Sequence, residues 1–256
     1  MPEASQPRQE STVRTLVVAL LVAVCCSLLV SLTAVGLAER QQANRDRDRM
    51  NNVLAAAGVE NPDAIDLRIV ELDTGEYVVS EEIGHGTYDQ RHATEDHTLS
   101  VDVPGDEDLA RIGRREKYSY VGLIHGEEVR IAQLILPVRG QGFASMLRAF
   151  VVLDADGTTV QALTVYEQGE TPGLGGEVAN PTWLASWKGK KIYDEGGSVR
   201  IELVRGADAA AEHQVDALSG ATVTSDAMTN LMRYWFGDSG FKVYLERMRS
   251  EGSGSG

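Results

Sequence analysis

The longest apolar segment of the chain lies near its N-terminus. Residues 15–38 read TLVVALLVAVCCSLLVSLTAVGLA and include no charged side chain. About 20 consecutive apolar residues allow a helix to cross the hydrocarbon core of a bilayer, whereas the apolar core of a cleaved signal peptide spans about 7–15 residues. The length therefore predicts a retained transmembrane helix at 15–38, preceded by a polar tail at 1–14.

The next part of the chain changes from a helical to an extended pattern. Residues 39–57 carry one apolar stripe at helical spacing, which predicts a helix. Two strand-like runs separated by a turn follow, from Leu67 to Leu72 and from Tyr77 to Ser80. Residues 81–108 are polar and acidic. Together, residues 39–116 are predicted to form a helical linker and a membrane-proximal segment.

A series of extended runs begins at Lys117. They form two pairs, each joined by a polar turn, and short turns of this kind connect antiparallel neighbours. Their bounds are Tyr118 to Ile124, Val129 to Val138, Met146 to Leu153 and Thr159 to Tyr166. The sequence thus predicts a mainly antiparallel sheet within a domain at 117–249, and a flexible Gly/Ser-rich tail at 250–256.

Shorter helical and extended signals complete this domain. Asn180 and Pro181 have the residue types that cap and open a helix, and residues 199–204 read as another strand. A last amphipathic helix is predicted to begin around Thr224 and to end near Gly237. The mixture of hairpins and helices predicts an α+β fold.

Composition restricts the chemistry that the domain can carry. Both cysteines, Cys25 and Cys26, lie inside the predicted span. The remaining part therefore has no thiolate for an iron-sulfur cluster or a zinc site, and redox chemistry there requires an organic cofactor. The formal net charge of -14 argues against a nucleic-acid partner. The arginines that flank the span place the following domain in the cytoplasm by a weak bias, but long domains cross membranes largely regardless of flanking charge.

Small residues are concentrated just before the predicted last helix. The segment 216–225 reads DALSGATVTS. Its small side chains let the backbone approach a bulky group, and the helix that follows offers unpaired N–H groups to a phosphate. Ordinary capping of that helix by Thr224 or Ser225 explains the same residues and is the simpler interpretation from the residues alone.

The same segment resembles the flavinylation motif of the covalent FMN-binding domain family. The matching positions are Asp216, Ser219, Gly220, Ala221 and Thr222. In that family, a flavin transferase joins the threonine hydroxyl to FMN in a phosphodiester bond. The resemblance implies Thr222 as the attachment residue, the motif residues as the recognition sequence for the transferase, and Ser219, Gly220, Ala221 and Thr224 as cofactor contacts.

Further motifs resemble the family of C subunits of the sodium-translocating NADH:quinone reductases. They are Gly140–Phe143, Glu170–Glu177, Asn180-Pro181-x-Trp183, Trp187-x-Gly189-Lys190 and Gly237–Phe241. The resemblance implies a flavin-side loop with contacts from Glu170, Thr171, Gly173, Leu174 and Gly175. One position departs from the family, which usually has His where this chain has Gln168, and Gln does not titrate near neutral pH.

The family implies an electron relay in a bacterial respiratory complex. Electrons that enter from NADH at a partner subunit would reach this FMN and pass toward ubiquinone, while the complex exports sodium. The chain has neither a dinucleotide-binding glycine motif nor a P-loop, so NADH is expected to bind elsewhere. Implied partners are other subunits, the transferase and membrane lipid. The implied topology has the tail at 1–14 in the cytoplasm and the FMN domain on the periplasmic side of the inner membrane.

Two alternatives remain open from the sequence. One is the corresponding FMN subunit of an Rnf-type ferredoxin:NAD oxidoreductase, which shares the motif and the anchor. The other is a membrane-anchored binding domain without a redox role.

Three further sets of side chains could bind a ligand or a metal, but structural or surface positions are expected for them. Trp183 and Trp187 are expected in the core rather than on the flavin. The spacing of three histidines suits no single helical ligand face, and a solvated acidic loop rather than a metal site is predicted; they are His85, His92 and His97. Three lysines are expected on the surface, namely Lys188, Lys190 and Lys191.

Overall fold

The computed structural model describes residues 14–28, 30–31, 64–78, 83, 88–126 and 130–253. Helix α1 comprises 14–28 and 30–31. Within the described ranges, no helix is both long enough and apolar enough to cross a membrane. The predicted span continues into position 29 and positions 32–38, which lie outside the described residues, and so does the predicted helix at 39–57. Both stay predictions.

The chain divides into two compact units, Met1–Arg49 and Met50–Gly256. All described elements after α1 belong to the second unit. Its strands are β1 (Ile65–Glu71), β2 (Ser100–Asp102), β3 (Arg114–Glu116), β4 (Tyr118–His125), β5 (Ile131–Gln141), β6 (Met146–Asp154), β7 (Val160–Glu167), β8 (Glu202–Val204) and β9 (Gln214–Asp216). Its helices are α2 (Gln90–Ala93), α3 (Pro181–Ala185), α4 (Thr222–Trp235) and α5 (Lys242–Ser253), with a 3₁₀ helix at Gly175–Ala179.

A five-stranded antiparallel sheet forms the centre of this unit, in the order β1-β4-β5-β6-β7. The four consecutive strands are the ones that the apolar alternation predicts, each within a few residues. The mixed helix and strand content and the mainly antiparallel sheet are therefore confirmed. The edge strand β1 pairs along its whole length with β4, so the sheet includes a strand from the segment assigned to the membrane-proximal part.

Two smaller sheets lie outside the main one. Strands β2 and β3 pair antiparallel, and β8 and β9 pair parallel. The segment 81–108, which shows no strong pattern in the sequence, thus contributes α2 and β2. The second predicted run, from Tyr77 to Ser80, is not a strand where it is described: Tyr77 forms a single bridge to Val70, and Ser80 lies outside the described residues.

The main core lies between one face of the sheet and helix α4. Alternate residues of β6 face this core, and α4 contributes Met228, Leu231, Met232 and Trp235 to it. A Cβ on Gly140 of β5 would lie only 3.2 Å from the side chain of Leu231. The helix therefore packs directly onto the strand at this glycine. This close contact holds the C-terminal half of α4 against β5.

The C-terminal part differs from its prediction in two ways. Helix α4 begins at Thr222 rather than Thr224. A further helix, α5, follows the predicted stop at Gly237 and continues to Ser253, into the segment predicted as a flexible tail. Its sequence is rich in Arg and Glu and shows little apolar stripe, but Tyr244 and Leu245 are fully buried in the core. Tertiary packing rather than local pattern stabilises α5.

Candidate functional site

The start of α4 lacks a side-chain cap. Ala221 occupies the capping position, and its side chain makes no hydrogen bond to the first turn. Gly220 precedes it in a left-handed conformation, with φ of +73°, which glycine adopts without steric cost. The expected capping by Thr224 or Ser225 is wrong, because both residues lie inside the first turn. The first N–H groups of α4 are therefore free of a side-chain cap.

Hydroxyl groups around this turn fall into two classes. Thr224 and Ser225 are each 2 % exposed. The Thr224 hydroxyl donates to Glu170 Oε2 at 2.7 Å, and the Ser225 hydroxyl donates to the Ala221 carbonyl at 3.0 Å. Thr222 and Ser219 are exposed. Within the described residues, the Thr222 hydroxyl has no hydrogen-bond partner, and Thr222 is the first residue of the helix.

A cavity of about 350 Å³ opens beside this turn. Its walls are the start of α4, the loop that follows β7, and Phe143 after β5. The lining residues are Phe143, Glu170, Thr171, Leu174, Gly175, Gly220, Ala221, Thr222, Val223 and Thr224. Eight of the ten predicted cofactor contacts are thus brought together, because Gly173 and Ser219 are the two that do not line the cavity.

Apolar side chains surround the mouth of the cavity. Phe143, Leu174 and Val223 are 68 %, 45 % and 51 % exposed, and all three line the cavity. Phe143 and Val223 are absent from the predicted site residues. Phe143 stands within a family motif, so that motif was an available signal, whereas Val223 has no such signal beyond its place next to Thr222. Exposed apolar groups around a cavity are typical of a surface that holds a flat apolar ligand.

Glu170 lines the cavity but is buried, and its carboxylate is bonded to donors of the protein. One carboxylate oxygen accepts hydrogen bonds from the backbone N–H groups of Ala144 and Ser145, at 2.9 and 3.0 Å, and from the Ser145 hydroxyl at 3.2 Å. The other accepts from the Phe143 N–H at 3.2 Å and from the Thr224 hydroxyl. Burial alone would raise the pKa of Glu170, but these hydrogen bonds outweigh it and lower the pKa below the usual value.

Two glycines make room for this carboxylate. A Cβ on Gly142 would lie 2.6 Å from Glu170 Oε1. A Cβ on Gly175 would lie 2.7 Å from Glu170 Oε2 and 2.6 Å from the Thr224 hydroxyl oxygen. Real Cβ atoms do not approach so closely, so both positions require glycine as long as the carboxylate stays in place. Both glycines thus make the Glu170 hydrogen bonds possible, and Gly175 also lines the cavity.

Asp216 and Trp183 support the segment that leads to α4. Asp216 does not line the cavity; its carboxylate accepts a hydrogen bond from the Gly206 N–H at 2.8 Å. The Trp183 indole N–H donates to the Asp216 carbonyl at 2.8 Å, and its ring meets that of the fully buried Trp187 edge to face at 5.7 Å. Both tryptophans therefore pack with the core, and neither lines the cavity.

The other candidates have local roles. The Gln168 side chain accepts a hydrogen bond from the Glu170 N–H at 2.7 Å. Lys190 is buried, contrary to its prediction as a surface residue, because its ammonium group donates to the carbonyls of Ala209 and Ala211. His92 contacts Asp89, and His97 contacts Arg114. His85 lies outside the described residues.

Comparison with known proteins gives consistent results at three levels. Residues 142–237 match the FMN-binding domain family. The chain is 41 % identical over 258 residues to the C subunit of the Na(+)-translocating NADH-quinone reductase of Vibrio parahaemolyticus, covering 95 % of this chain and 97 % of that protein. It is 39 % identical over 248 residues to the protein of the same name from Neisseria meningitidis serogroup B, covering 93 % and 95 %.

A solved structure shares the fold. The crystal structure of Shewanella oneidensis NqrC superposes with a TM-score of 0.74 at 29 % sequence identity, and the match covers 81 % of this chain and 99 % of that one. The matched domain of 142–237 includes Phe143, the whole loop after β7 and the start of α4. The cavity described above thus lies entirely within the region of FMN-binding similarity.

Proposed function

The chain belongs to the family of C subunits of the Na(+)-translocating NADH-quinone reductases, and we propose that its FMN is bound as a phosphodiester of Thr222. The chain is the electron-carrying FMN subunit of such a reductase. This family favours the quinone reductase over the Rnf-type alternative, and the FMN-binding domain excludes a binding domain without a redox role. The observation that carries the Thr222 assignment is its exposed, unpaired hydroxyl at the uncapped start of α4.

The described residues fit FMN in chemical character. The apolar rim of Phe143, Leu174 and Val223 suits a flat ring system, since apolar contacts dominate ligand sites of this kind. A phosphate joined to Thr222 would lie at the positive end of the α4 dipole. The cavity lining includes no Lys or Arg. The backbone N–H groups of the first turn are therefore the groups that would offset the phosphate charge.

FMN supplies the redox chemistry, because no side chain of this domain can carry electrons in this way. The protein holds and orients the cofactor. A bond through the phosphate fixes the flavin without modifying its reactive ring, and residues of the loop 170–175 line the same cavity as Thr222. NADH oxidation is assigned to another subunit, since the chain lacks a dinucleotide-binding motif.

The proposed location follows from the family and the apolar segment. We assign the chain to the bacterial inner membrane, anchored once through 15–38, with the FMN domain in the periplasm. Its proposed partners are the other subunits of the complex, the membrane lipid around the anchor, and the flavin transferase during maturation. The segment from Asp216 to Thr222 is the proposed recognition sequence, supported by the exposure of Asp216, Ser219 and Gly220 just before α4.

Covalent attachment is tested by flavin fluorescence after denaturation. The full chain is produced in cells that contain a flavin transferase, denatured, and separated on a gel. The wild-type band is expected to fluoresce, and Thr222→Ala is expected to abolish the signal. Thr222→Ser retains a hydroxyl at the same place and is expected to keep it. A fluorescent band of undiminished intensity in Thr222→Ala would assign the flavin to another residue.

A further inference from the structure

Two threonine hydroxyls lie at the start of α4. Thr222 and Thr224 are two residues apart, and both line the cavity. They differ in their environment: Thr222 is exposed, whereas Thr224 is 2 % exposed and donates its hydroxyl proton to Glu170 Oε2 at 2.7 Å. A hydroxyl that is buried and bonded to a carboxylate is not available to a transferase that approaches from solvent. The structure thus separates two chemically identical groups.

Glu170 is the residue that makes this distinction. Its two carboxylate oxygens accept five hydrogen bonds from four residues, which are Phe143, Ala144, Ser145 and Thr224. Of these four, Phe143 and Thr224 line the cavity, Phe143 from the segment after β5 and Thr224 from the start of α4. An ionised carboxylate suits this site, because all five contacts come from donors and the ionised group has no proton that would face one of them. The side chain therefore connects the segment after β5 to the start of α4 from inside the protein.

We propose that Glu170 is a positioning residue that selects Thr222 as the attachment site. By binding Thr224, it withdraws the second hydroxyl and holds the first turn of α4 so that the Thr222 hydroxyl faces the cavity. By binding the N–H groups of 143–145, it also fixes the segment that carries Phe143. This inference rests on the proposed attachment of FMN to Thr222 and specifies how that residue is chosen.

The selected reaction transfers a flavin phosphate to an alcohol. The Thr222 oxygen forms a bond to the phosphorus of a flavin nucleotide whose phosphate is activated as a pyrophosphate. The pyrophosphate P–O bond breaks, a nucleoside monophosphate leaves, and the threonine hydroxyl proton passes to water. Glu170 takes no part in these bond changes, because its oxygens are occupied by Thr224 and the 143–145 loop.

The experiment measures where the flavin is attached and on what fraction of the chains. The full chain is produced with the flavin transferase, the folded fraction is isolated by size exclusion, and its peptides are analysed by mass spectrometry. Glu170→Gln keeps the shape but turns an NH₂ group toward N–H donors. Thr224→Val removes the hydroxyl, and Thr224→Ser restores it. Matched controls are Glu177→Gln, which changes a carboxylate with one amide partner, and Thr229→Val, which changes a buried threonine of the same helix.

The selection by Glu170 predicts a specific set of results. The fraction of chains with flavin on Thr222 falls at least threefold in Glu170→Gln and in Thr224→Val, and it stays at the wild-type value in Thr224→Ser and in both controls. In Thr222→Ala, Thr224 carries no flavin. Rescue by serine shows that the hydroxyl rather than the volume of the side chain matters.

Two results would overturn the inference. One is wild-type occupancy of Thr222 in the folded fractions of both Glu170→Gln and Thr224→Val. The other is flavin on Thr224 in Thr222→Ala. If Glu170→Gln does not fold, the comparison of valine with serine at 224 decides alone. Absence of flavin from Thr222 in the wild-type chain would instead contradict the attachment proposed above.

Discussion

The two ends of helix α4 are built in opposite ways. At its C-terminal end, Trp235 and Phe236 are fully buried, and the chain turns sharply into α5 through Gly240. The Trp235 indole donates to the Arg139 carbonyl at 2.6 Å, and the Tyr193 hydroxyl donates to the Phe236 carbonyl at 2.8 Å. At its N-terminal end, Thr222 is exposed, and the helix has no side-chain cap. One end is enclosed by the core, and the other opens to the cavity.

Along this single helix, the contacts that stabilise the fold lie at one end, and the groups available to a ligand lie at the other. The enclosed end and the close contact at Gly140 fix α4 on the sheet. The open end can then leave its first N–H groups and a threonine hydroxyl available to a ligand. The missing cap costs about 1 kcal/mol of stability. Substitutions at the enclosed end should therefore reduce stability most, and those at the open end should change flavin attachment before they unfold the domain.

The largest effect is expected for Gly240→Ala at the enclosed end. A Cβ there would lie 2.1 Å from the Trp235 carbonyl oxygen and 2.5 Å from the carbonyl carbon. Both are backbone atoms, so a side chain cannot move aside and the turn itself must shift. We expect a loss of about 4 kcal/mol in the free energy of unfolding, in the upper range of single substitutions.

Denaturant unfolding followed by circular dichroism measures this loss. Gly105→Ala is the control, because a Cβ at that position would have no other atom within 4 Å, and its effect should stay within about 0.5 kcal/mol. Equal stability of the two variants would show that the enclosed end is not rigid.

A smaller effect is expected for Gly175→Ala at the open end. Here the added Cβ meets side-chain atoms, Thr224 Oγ1 and Glu170 Oε2, which can move by rotation. We expect a loss of about 1–3 kcal/mol, typical of overpacking. The fraction of chains that carry flavin should fall by a larger proportion than the free energy of unfolding does, since the displaced groups are those that hold the cavity walls. Parallel measurement of unfolding and of flavin per chain tests this; occupancy equal to wild type would contradict it.

The residues of the open end could be predicted from the sequence, whereas the contacts that hold them in place could not. The four central strands follow from alternation, and the resemblance leads to Thr222 and to the loop 170–175. The inward direction of Glu170 could not be predicted, because its partners Ala144 and Thr224 lie 26 and 54 residues away in the chain. Pairing of β1 with β4 and the packing of α5 are long-range for the same reason. Local pattern predicts elements, whereas these features depend on which elements meet.

Glu170→Gln is expected to reduce the free energy of unfolding by an intermediate amount, and this reduction should depend on pH. Because the folded protein lowers the pKa of Glu170 below 4.5, ionised Glu170 contributes its full stability above that pH. The contribution is lost as pH falls through the lowered pKa. At neutral pH, we expect the variant to be less stable by about 2 kcal/mol, since buried donors lose their acceptor.

Urea unfolding of both proteins from about pH 3 to about pH 8 measures this dependence. The difference between them should be constant at neutral pH and shrink below pH 4.5, the ordinary value for Glu170. A difference that does not change with pH would show that the carboxylate charge has no part in holding the cavity walls.

The smallest effect on stability is expected for Phe143→Ala at the mouth of the cavity. The ring is 68 % exposed, so its removal should change the free energy of unfolding by less than about 0.5 kcal/mol. Its removal should also leave the bond to Thr222 intact, because the Phe143 N–H keeps its contact with Glu170. What should change is the access of solvent to the attached flavin, seen as stronger quenching of its fluorescence by iodide.

Leu109→Ala removes another exposed apolar side chain, 45 % exposed and outside the cavity lining, and should leave the quenching unchanged. Equal quenching in the two variants would mean that the flavin does not lie against Phe143, and the open end of α4 would then hold the cofactor through its first turn and the loop 170–175 alone.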